Sequence, residues 1–429
     1  MSSKKSRRRF LEAAGLAGVA ALAGCSGNGG DDGGDSDGDS GGDSGGDTET
    51  ETSSGGGDGG DGGSDGGDGG DSTPTPESTP TAEMDGDGGS TPASGSGGPS
   101  LLTGEGSSTV YPIANEGSSY WNGNAPPSDG EYWGSNDEGE VPGWSQVETD
   151  MHLADYFASQ YGFEATGTRS SPPYRATIGL SHSGTGCEAV TNGLVDIGNS
   201  SGPITAELDW TQEKADEEVV DHVLGRDGQP VVVSSDIYEA GVTQLTGEQI
   251  RGIYQDEITN WSEVGGPDQE IFCIGRAVGS GTDTSFRLNM LGDAEAEMPG
   301  VDTRQGQNQG VAQLVRQNEG AIAYMALAFT GENVRPIAID FEGTVYKPDK
   351  DAENTIFDSD YPLNRDLHMY TQITEDTPEG TDMREGAFMS MFLTDFGQQV
   401  FVEGNNYIPL PTADLESEAE KLPGPVPGM

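Results

Sequence analysis

The stretch from Arg276 to Thr282, Arg-Ala-Val-Gly-Ser-Gly-Thr, carries the residue types that an anion site needs. A short apolar run before it, Ile271–Ile274, predicts a strand, and the apolar period from Phe286 predicts a helix. Arg276 would then stand beside a glycine-rich turn whose backbone N–H groups favour negative charge. The pattern predicts oxyanion binding, and the alternative is an ordinary strand-to-helix turn with a surface arginine.

Two earlier stretches repeat this arrangement of strand, small-residue loop and helix. The loop from Gly104 to Pro112 carries successive hydroxyls that end at Thr109. A strand predicted at Ala176–Leu180 ends in a loop that holds Ser183, and a further strand ends with hydroxyls at 196–203. Loops of this kind would gather neutral donors for one anion.

Apolar periods predict the other elements of the chain. They indicate helices over 151–161, 245–254, 310–317 and 387–402, and strands at 230–233, 320–324 and 367–370. This alternation predicts an α/β fold with ligands at the loops. The polar stretch to about Asp150 lacks a clean period, so we interpret 115–150 as an inserted loop, and the tail from Pro423 as frayed.

The first 99 residues have a composition of their own. Residues 1–25 place twin arginines before an apolar run and close on Leu22-Ala-Gly-Cys25. This resembles a twin-arginine export signal with a lipobox, which implies export and a lipid on Cys25. Residues 26–99 are Gly, Asp, Ser and Thr-Pro with almost no apolar content, so we expect a disordered linker.

Charge excludes one class of function. The net charge is −54, and residues 100–429 hold 15 basic and 55 acidic residues. No basic stripe exists to neutralise phosphates, which excludes nucleic-acid binding. Such acidity favours a protein that works in high salt, where its self-repulsion is screened. The alternative is an acidic surface that recruits a basic partner.

Seven segments in order resemble one family. They are 106–112, 183–186, 196–203, 245–265 (LTGEQIRGIYQDEITNWSEVG), 276–282, 320–324 and 361–363. Together they resemble the phosphate-binding lipoproteins of Pst-type ABC importers, in the type II periplasmic-binding-protein superfamily. The resemblance implies two α/β lobes that are joined by a hinge of two crossing strands and close on the ligand.

The resemblance also implies the phosphate contacts and the layout of the chain. The contacts fall on Thr109, Val110, Ser183, Ser201, Arg276, Ser280, Gly281 and Thr282. The predicted units are a signal at 1–25, a linker at 26–99, lobe 1 at 100–235 and 356–411, lobe 2 at 236–355, and a C-terminal tail at 412–429. We expect a monomer without a cofactor or a metal, with phosphate and importer permease subunits as partners.

Two features depart from the family pattern. Some members have an aspartate at the position of Ser201, where it accepts the proton of hydrogen phosphate and repels sulfate. Asp283, next to Thr282, is a candidate for that role here. The predicted insert at 115–150 falls where the family has a helix directly after the first loop.

Other functions remain as alternatives to phosphate delivery. The same architecture could bind sulfate, molybdate or tungstate, or could serve as an anion sensor or scavenger without a transporter. A serine hydrolase would use Ser183 with His182, but Gly179-Leu-Ser-His-Ser183 lacks the Gly-x-Ser-x-Gly elbow.

Cys187 and Cys273 have no ligand at metal-binding spacing. We expect them to be free, buried thiols on different lobes.

Overall fold

A computed structural model describes residues 101–133 and 149–429. The predicted signal at 1–25 with Cys25, the predicted linker at 26–99 and residues 134–148 of the predicted insert lie outside the described residues. Among the residues that are described, no helix combines the length and the apolar character needed to cross a membrane.

The strands form three sheets. They are β1 Leu102–Ser107, β2 Ala176–Ser181, β3 Ile197–Ser200, β4 Val219–Gly228, β5 Val231–Val233, β6 Gln244–Thr246, β7 Phe272–Arg276, β8 Thr303–Gln305, β9 Ala321–Tyr324, β10 Arg335–Pro336, β11 Ala338–Phe341, β12 Thr344–Tyr346 and β13 Asn364–Gln372. The strand orders are β2-β1-β3-β13-β4, β10-β5-β9-β7-β8 and β12-β11-β6. Because β1 pairs in parallel with β2 and β3, the carboxyl ends of these three strands meet at one edge.

Helices follow most of these strands. They are α1 Tyr111–Gly123, α2 Gly130–Trp133, α3 Leu153–Ser159, α4 Ser183–Thr191, α5 Ile204–Glu207, α6 Gln212–Glu218, α7 Ser235–Glu239, α8 Gly247–Tyr254, α9 Gly281–Phe286, α10 Asn308–Gln317, α11 Met383–Leu393, α12 Asp395–Gly397 and α13 Thr412–Ala419. Short 3₁₀ helices lie at Trp261–Val264, Leu327–Phe329 and Glu403–Asn405, and π-helical turns at Arg287–Leu291 and Gln398–Val402.

The two five-stranded sheets form the two lobes of the predicted α/β fold. The chain passes between them at Gly228–Pro230, where β4 leads almost directly into β5, and again between β12 and β13. The passages touch, because a Cβ at Gly228 would collide with the backbone carbonyl of Ile356. The Tyr361 hydroxyl also donates to the Gln229 carbonyl at 3.2 Å. Glycine is therefore needed where the two passages cross.

Each lobe has apolar side chains on its sheet. In the first, Trp121 of α1 packs edge-on against Phe388 of α11, with ring centroids 5.6 Å apart. In the second, Ile274 of β7 and Val311 and Val315 of α10 are buried in one cluster. Fully burying a side chain of this size stabilises the fold by roughly 1.5–3 kcal/mol. Helices α1 and α10 thereby lie on strands whose ends carry the polar loops.

The prediction of an inserted loop at 115–150 is wrong for the first part of this stretch. Helix α1 starts directly after the first loop, at Tyr111, and α2 follows within the stretch that we interpreted as a loop. Gly117 and Ser118 share the buried side of α1 with Ile113, Ala114 and Trp121, so this side does not form a continuous apolar period in the sequence. The family's helix after the first loop is therefore present.

The long helix predicted over 387–402 is also wrong. Helix α11 starts earlier, at an N-cap where Asp382 accepts from the backbone N–H of Glu385 at 2.9 Å. It ends at Leu393, because the Thr394 hydroxyl caps a new helix by accepting from the Gly397 N–H at 3.1 Å. The apolar period continues through this break, which is why the period alone does not reveal it.

The C-terminal tail is not frayed as predicted. Residues 412–419 form α13, and Leu422 and Val426 beyond it are buried in the core. The Tyr161 hydroxyl donates to the Gly424 carbonyl at 3.1 Å. The lobe boundaries stay a prediction, but Val231–Val233, assigned to lobe 1, pairs into the second sheet.

Candidate anion-binding site

Three hydroxyls meet where β1, β2 and β3 end. Ser107 donates its Oγ hydrogen to Ser201 Oγ at 3.0 Å, and Ser183 Oγ lies 3.4 Å from the same oxygen. The Ser201 backbone N–H donates to Ser183 Oγ at 3.1 Å. All three side chains are buried. The structure therefore brings the predicted residues Ser183 and Ser201 together, and adds Ser107.

The first loop is held by bonds on both sides. The Thr109 N–H donates to Ser107 Oγ at 3.2 Å, and the Tyr407 hydroxyl donates to the Thr109 carbonyl at 2.7 Å. Val110 follows as the residue before α1, and its side chain is buried in the apolar core. Any polar contact from Val110 must therefore come from its backbone.

Arg276 ends β7 and lies in the cleft with 1% of its surface exposed. Among the described residues, its guanidinium donates only to neutral acceptors. They are Asn308 Oδ1 at 2.7 Å, the Gly306 carbonyl at 2.8 Å, Ser108 Oγ at 3.1 Å and the Gln305 carbonyl at 3.3 Å. Burial lowers the pKa of Arg276 to about 10, and the nearby Arg365 charge adds to this effect. The group remains a cation at neutral pH, without a carboxylate bonded to it.

The loop before α9 closes the cleft from the second lobe. Thr282 Oγ1 is 3.1 Å from Thr109 Oγ1, and the Gly184 N–H donates to the Gly279 carbonyl at 3.3 Å. Ser280, the residue before α9, is buried. Gly281 approaches so closely that a Cβ would stand 2.8 Å from Ser201 Oγ. The predicted residues of the two lobes thus lie against each other, and α9 starts at Gly281 rather than at Phe286.

The sequence interpretation did not identify three further residues of the cluster. Asn308 starts α10 and donates from Nδ2 to Ser108 Oγ and Thr109 Oγ1, both at 3.1 Å. Arg365 and Asp227 form a buried ion pair of 2.6 Å beside these hydroxyls. A signal for Arg365 was present, because it stands two residues after the Tyr-Pro-Leu segment that carried part of the resemblance.

Asp283 does not replace the missing aspartate. Its carboxylate pairs with Arg287 at 2.8 Å and with Arg304 at 3.1 Å, and it also accepts from the Tyr324 hydroxyl. Burial raises the pKa of Asp283, and the Tyr324 hydrogen bond and the two guanidinium groups oppose the rise. The suggestion that Asp283 accepts a phosphate proton is therefore wrong, since these partners already occupy its oxygens.

The hydrolase alternative lacks its geometry. Ser183 Oγ bonds to Ser201, and no hydrogen bond joins it to His182 in the part of the chain that the structure describes. His182 Nδ1 is shielded from water and has no partner there. Burial lowers the pKa of His182, and the Arg276 charge lowers it further. The pair is not arranged as a nucleophile with its base.

Thiols and metal ligands add nothing to the site. Cys187 and Cys273 are free and buried, which confirms the prediction for these two residues. Burial raises the pKa of both thiols. Over 101–133 and 149–429, no group of three or more His, Cys, Asp or Glu side chains is placed to hold a metal ion.

Comparison with known proteins places this arrangement in a family. The family model described as a PBP superfamily domain matches residues 155–394. The chain belongs to the PBP superfamily. The PBP match spans every predicted contact except Thr109 and Val110, which precede it.

Curated relatives of this PBP chain carry one name. Phosphate-binding protein PstS of Bacillus subtilis strain 168 is 29% identical over 238 residues, which is 55% of this chain and 72% of the relative. PstS of Staphylococcus saprophyticus is 27% identical over 255 residues, 57% of this chain and 74% of the relative.

A solved structure gives the fold. The Clostridium perfringens protein, assigned as the substrate-binding protein of a phosphate ABC transporter and crystallised with phosphate, has a TM-score of 0.51 and 20% identity. It covers 72% of this chain and 100% of its own. This agreement supports the two-lobed PBP architecture seen in the sheets.

Proposed function

We propose that this chain is a solute-binding protein that captures inorganic phosphate between its two lobes and delivers it to an ABC importer. It catalyses no reaction. Curated relatives bear the name of phosphate-binding protein, and the C. perfringens protein of the same fold was crystallised with phosphate. The predicted contacts Thr109, Ser183, Ser201, Arg276 and Thr282 lie in one buried cluster.

The observation that carries the proposal is the state of Arg276. A guanidinium that is buried without a carboxylate loses hydration worth several kcal/mol, and neutral acceptors return only part of it. A bound oxyanion would supply the missing charge through short, charge-assisted hydrogen bonds. The site therefore gains most from a ligand that is small, anionic and rich in acceptor oxygens.

The second candidate ligand is another oxyanion, such as sulfate. Serine at position 201, in place of the aspartate of some family members, supports this alternative. With serine at position 201 and Asp283 paired with Arg287 and Arg304, neither of these two residues offers a free carboxylate to repel sulfate. A serine oxygen still accepts the proton of hydrogen phosphate, so phosphate keeps one additional hydrogen bond. Phosphate should remain preferred, by a margin of about one hydrogen bond.

We further propose that the chain is exported and held at the outer face of the membrane by a lipid on Cys25. The twin arginines, the apolar run and Leu22-Ala-Gly-Cys25 support this, and 26–99 would serve as the tether. The net charge of −54 favours a saline medium. Importer permease subunits would be the partners, and the working form would be a monomer.

Replacement of Arg276 by glutamine tests the site. We expect phosphate affinity, measured by calorimetry on the full chain in molar KCl, to fall at least about tenfold, because charged hydrogen bonds contribute about 1.5–3 kcal/mol each. The ligand-free variant should unfold at an equal or higher temperature, since the wild type carries a costly buried charge.

Arg335→Gln is the matched control for that variant. Arg335 also belongs to the second lobe, but its guanidinium stacks on Tyr238, 4.1 Å from the ring centre. Phosphate affinity should be unchanged in this control. Equal affinity in Arg276→Gln and wild type would show that the anion binds elsewhere.

A further inference from the structure

Arg365 lies among the loops of the first lobe. It stands on β13 directly opposite Asp227 of β4 and is 7% exposed. Its Nη2 donates to Thr109 Oγ1 at 3.3 Å, and its Nη1 to Ser201 Oγ at 3.4 Å. Both hydroxyls belong to the predicted contact set, so this guanidinium faces the same cluster as Arg276.

We propose that Arg365 is a second guanidinium that binds the anion, and that Asp227 is the residue that positions it. The assignment rests on the proposed phosphate function and names an additional ligand-binding residue in the same site. Its guanidinium approaches the anion from the first lobe, whereas Arg276 approaches from the second.

Asp227 holds Arg365 by one edge. Its Oδ2 accepts from Arg365 Nε at 3.0 Å and from Nη2 at 2.6 Å. Its Oδ1 accepts from the Leu327 backbone N–H at 2.9 Å, so the carboxylate itself is fixed. Nη1 donates to the Ser201 carbonyl at 3.3 Å as well as to Ser201 Oγ, so Nη1 and the second hydrogen of Nη2 face Ser201 and the Thr109 hydroxyl, away from the carboxylate. A planar guanidinium held at one edge presents its remaining donors in a set direction.

A purely structural ion pair would look different, and the neighbouring residue supplies the comparison. Arg226, on the same strand as Asp227, pairs with Asp366 and Asp414, both at 2.8 Å. It makes no contact with the hydroxyl cluster among the described residues. Because Arg226 already joins β4 to β13 through Asp366, Arg365 is not needed for that link.

The charge of the cluster follows from this assignment. Arg276 and Arg365 face it with only Asp227 as a carboxylate bonded to either of them in the described part of the chain. The protein side of the site is therefore positive before a ligand enters. Such a site attracts dianions, sulfate as well as hydrogen phosphate, so this charge adds affinity and leaves the choice between the two to the hydroxyls.

The test is the double variant Asp227→Asn with Arg365→Gln, in the full chain. The two amides can still bond across the strands, so the variant removes both charges without leaving one unpaired. Calorimetry with inorganic phosphate should give an affinity at least about tenfold weaker than wild type. The control Arg226→Gln should bind phosphate like wild type.

The outcomes separate this assignment from the proposed function. A double variant that binds phosphate as tightly as wild type would overturn the role of Arg365 alone. A wild-type chain that binds no phosphate would overturn both.

If the double variant fails to give a cooperative thermal transition, Arg365→Lys takes its place. Lysine keeps the charge beside Asp227 but cannot reach Thr109 and Ser201 together. Weaker phosphate binding by this variant would support the assignment, and unchanged binding would contradict it.

Discussion

At the residue scale, the site depends on how its guanidinium groups are held. Arg276 is oriented by an amide, a hydroxyl and two carbonyls, which fix its direction without neutralising its charge. Asp283, in contrast, is neutralised by Arg287 and Arg304. Asp283 is thus paired with two other arginines, and among the described residues no carboxylate is bonded to Arg276.

Glu207 is a second residue with an unusual environment. It ends α5, and its Oε1 fills the space where Gly202 would carry a Cβ. Both carboxylate oxygens are shielded from water. Burial raises the pKa of Glu207 to about 7, while the Thr284 hydroxyl and then the Arg365 charge partly oppose the rise.

This environment predicts how stability depends on pH. The folded protein holds Glu207 neutral up to about pH 7, whereas its ordinary pKa is 4.5. The favourable contribution is therefore complete below pH 4.5 and is lost as pH rises towards 7. Glu207→Gln should remove this loss, so that at pH 8 the variant is more stable than wild type by up to about 3 kcal/mol.

Chemical unfolding of both proteins at pH 4.5 and pH 8 in equal salt measures this difference. At pH 4.5 the two should be nearly equal in stability. Glu217→Gln, on the exposed side of α6, is the control and should change stability little at either pH. A Glu207→Gln variant no more stable than wild type at pH 8 would contradict the buried neutral form.

At the element scale, the cleft is closed by the beginning of α9. Gly281 lies against the hydroxyls of the first lobe, where a Cβ would meet the Gly202 nitrogen and Ser201 Oγ, both at 2.8 Å. Ser285 of the same helix donates to the Ser201 carbonyl at 3.0 Å. Glycine at 281 is therefore required by close approach across the cleft.

Gly281→Ala should therefore hold the lobes apart. We expect phosphate affinity to fall at least about tenfold, because closure must displace fixed side chains and backbone, which typically costs 1–3 kcal/mol. Small-angle scattering should show that phosphate no longer compacts the variant. Gly331→Ala, where a Cβ meets nothing within 4 Å, is the control. Wild-type compaction in Gly281→Ala would contradict the role given to this contact.

Elements that rest on local signals were predicted well from the sequence. The strand before Arg276 and the strand that ends in the loop of Ser183 follow from short apolar runs, and both are present as β7 and β2. Ser183 and Ser201 come together because β2 and β3 flank β1 in one sheet, whereas Thr282 follows β7 of the other sheet and meets them across the cleft. Loops with small polar residues after buried strands are informative, since the backbone groups of a buried loop must find partners.

Elements that depend on distant contacts were missed. Arg365 and Asp227 are 138 positions apart and become neighbours only through the antiparallel pairing of β13 with β4. Helix α1 has several residues of low helix propensity and is stabilised by Trp121, whose Nε1 donates to the Tyr174 carbonyl at 2.8 Å. No local pattern encodes either interaction.

At the scale of the whole molecule, the charges are divided unequally. The chain carries a net −54, and residues 100–429 hold only 15 basic side chains. Four of these, Arg276, Arg287, Arg304 and Arg365, lie with Asp227 and Asp283 in and directly behind the site. The cleft is locally positive inside an acidic protein, so an anion must pass a repelling surface to reach it.

High salt should weaken the repulsion by the acidic surface more than the attraction by the positive cleft. The Debye length is about 3 Å at 1 M ionic strength, so the surface repulsion is screened there, while the buried cluster is screened far less. A phosphate receptor of this kind should therefore bind well in concentrated salt. Dilute buffer should weaken phosphate binding, because the unscreened acidic surface repels the anion. It should also increase the self-repulsion of the chain.

The most direct measurement is calorimetry of the wild-type full chain in molar KCl, first with phosphate and then with sulfate as competitor. We predict one phosphate bound per chain, with sulfate weaker by up to about tenfold, the margin of one hydrogen bond. The absence of phosphate binding would contradict the proposed function. Sulfate binding as tight as phosphate binding would contradict the proposed selectivity.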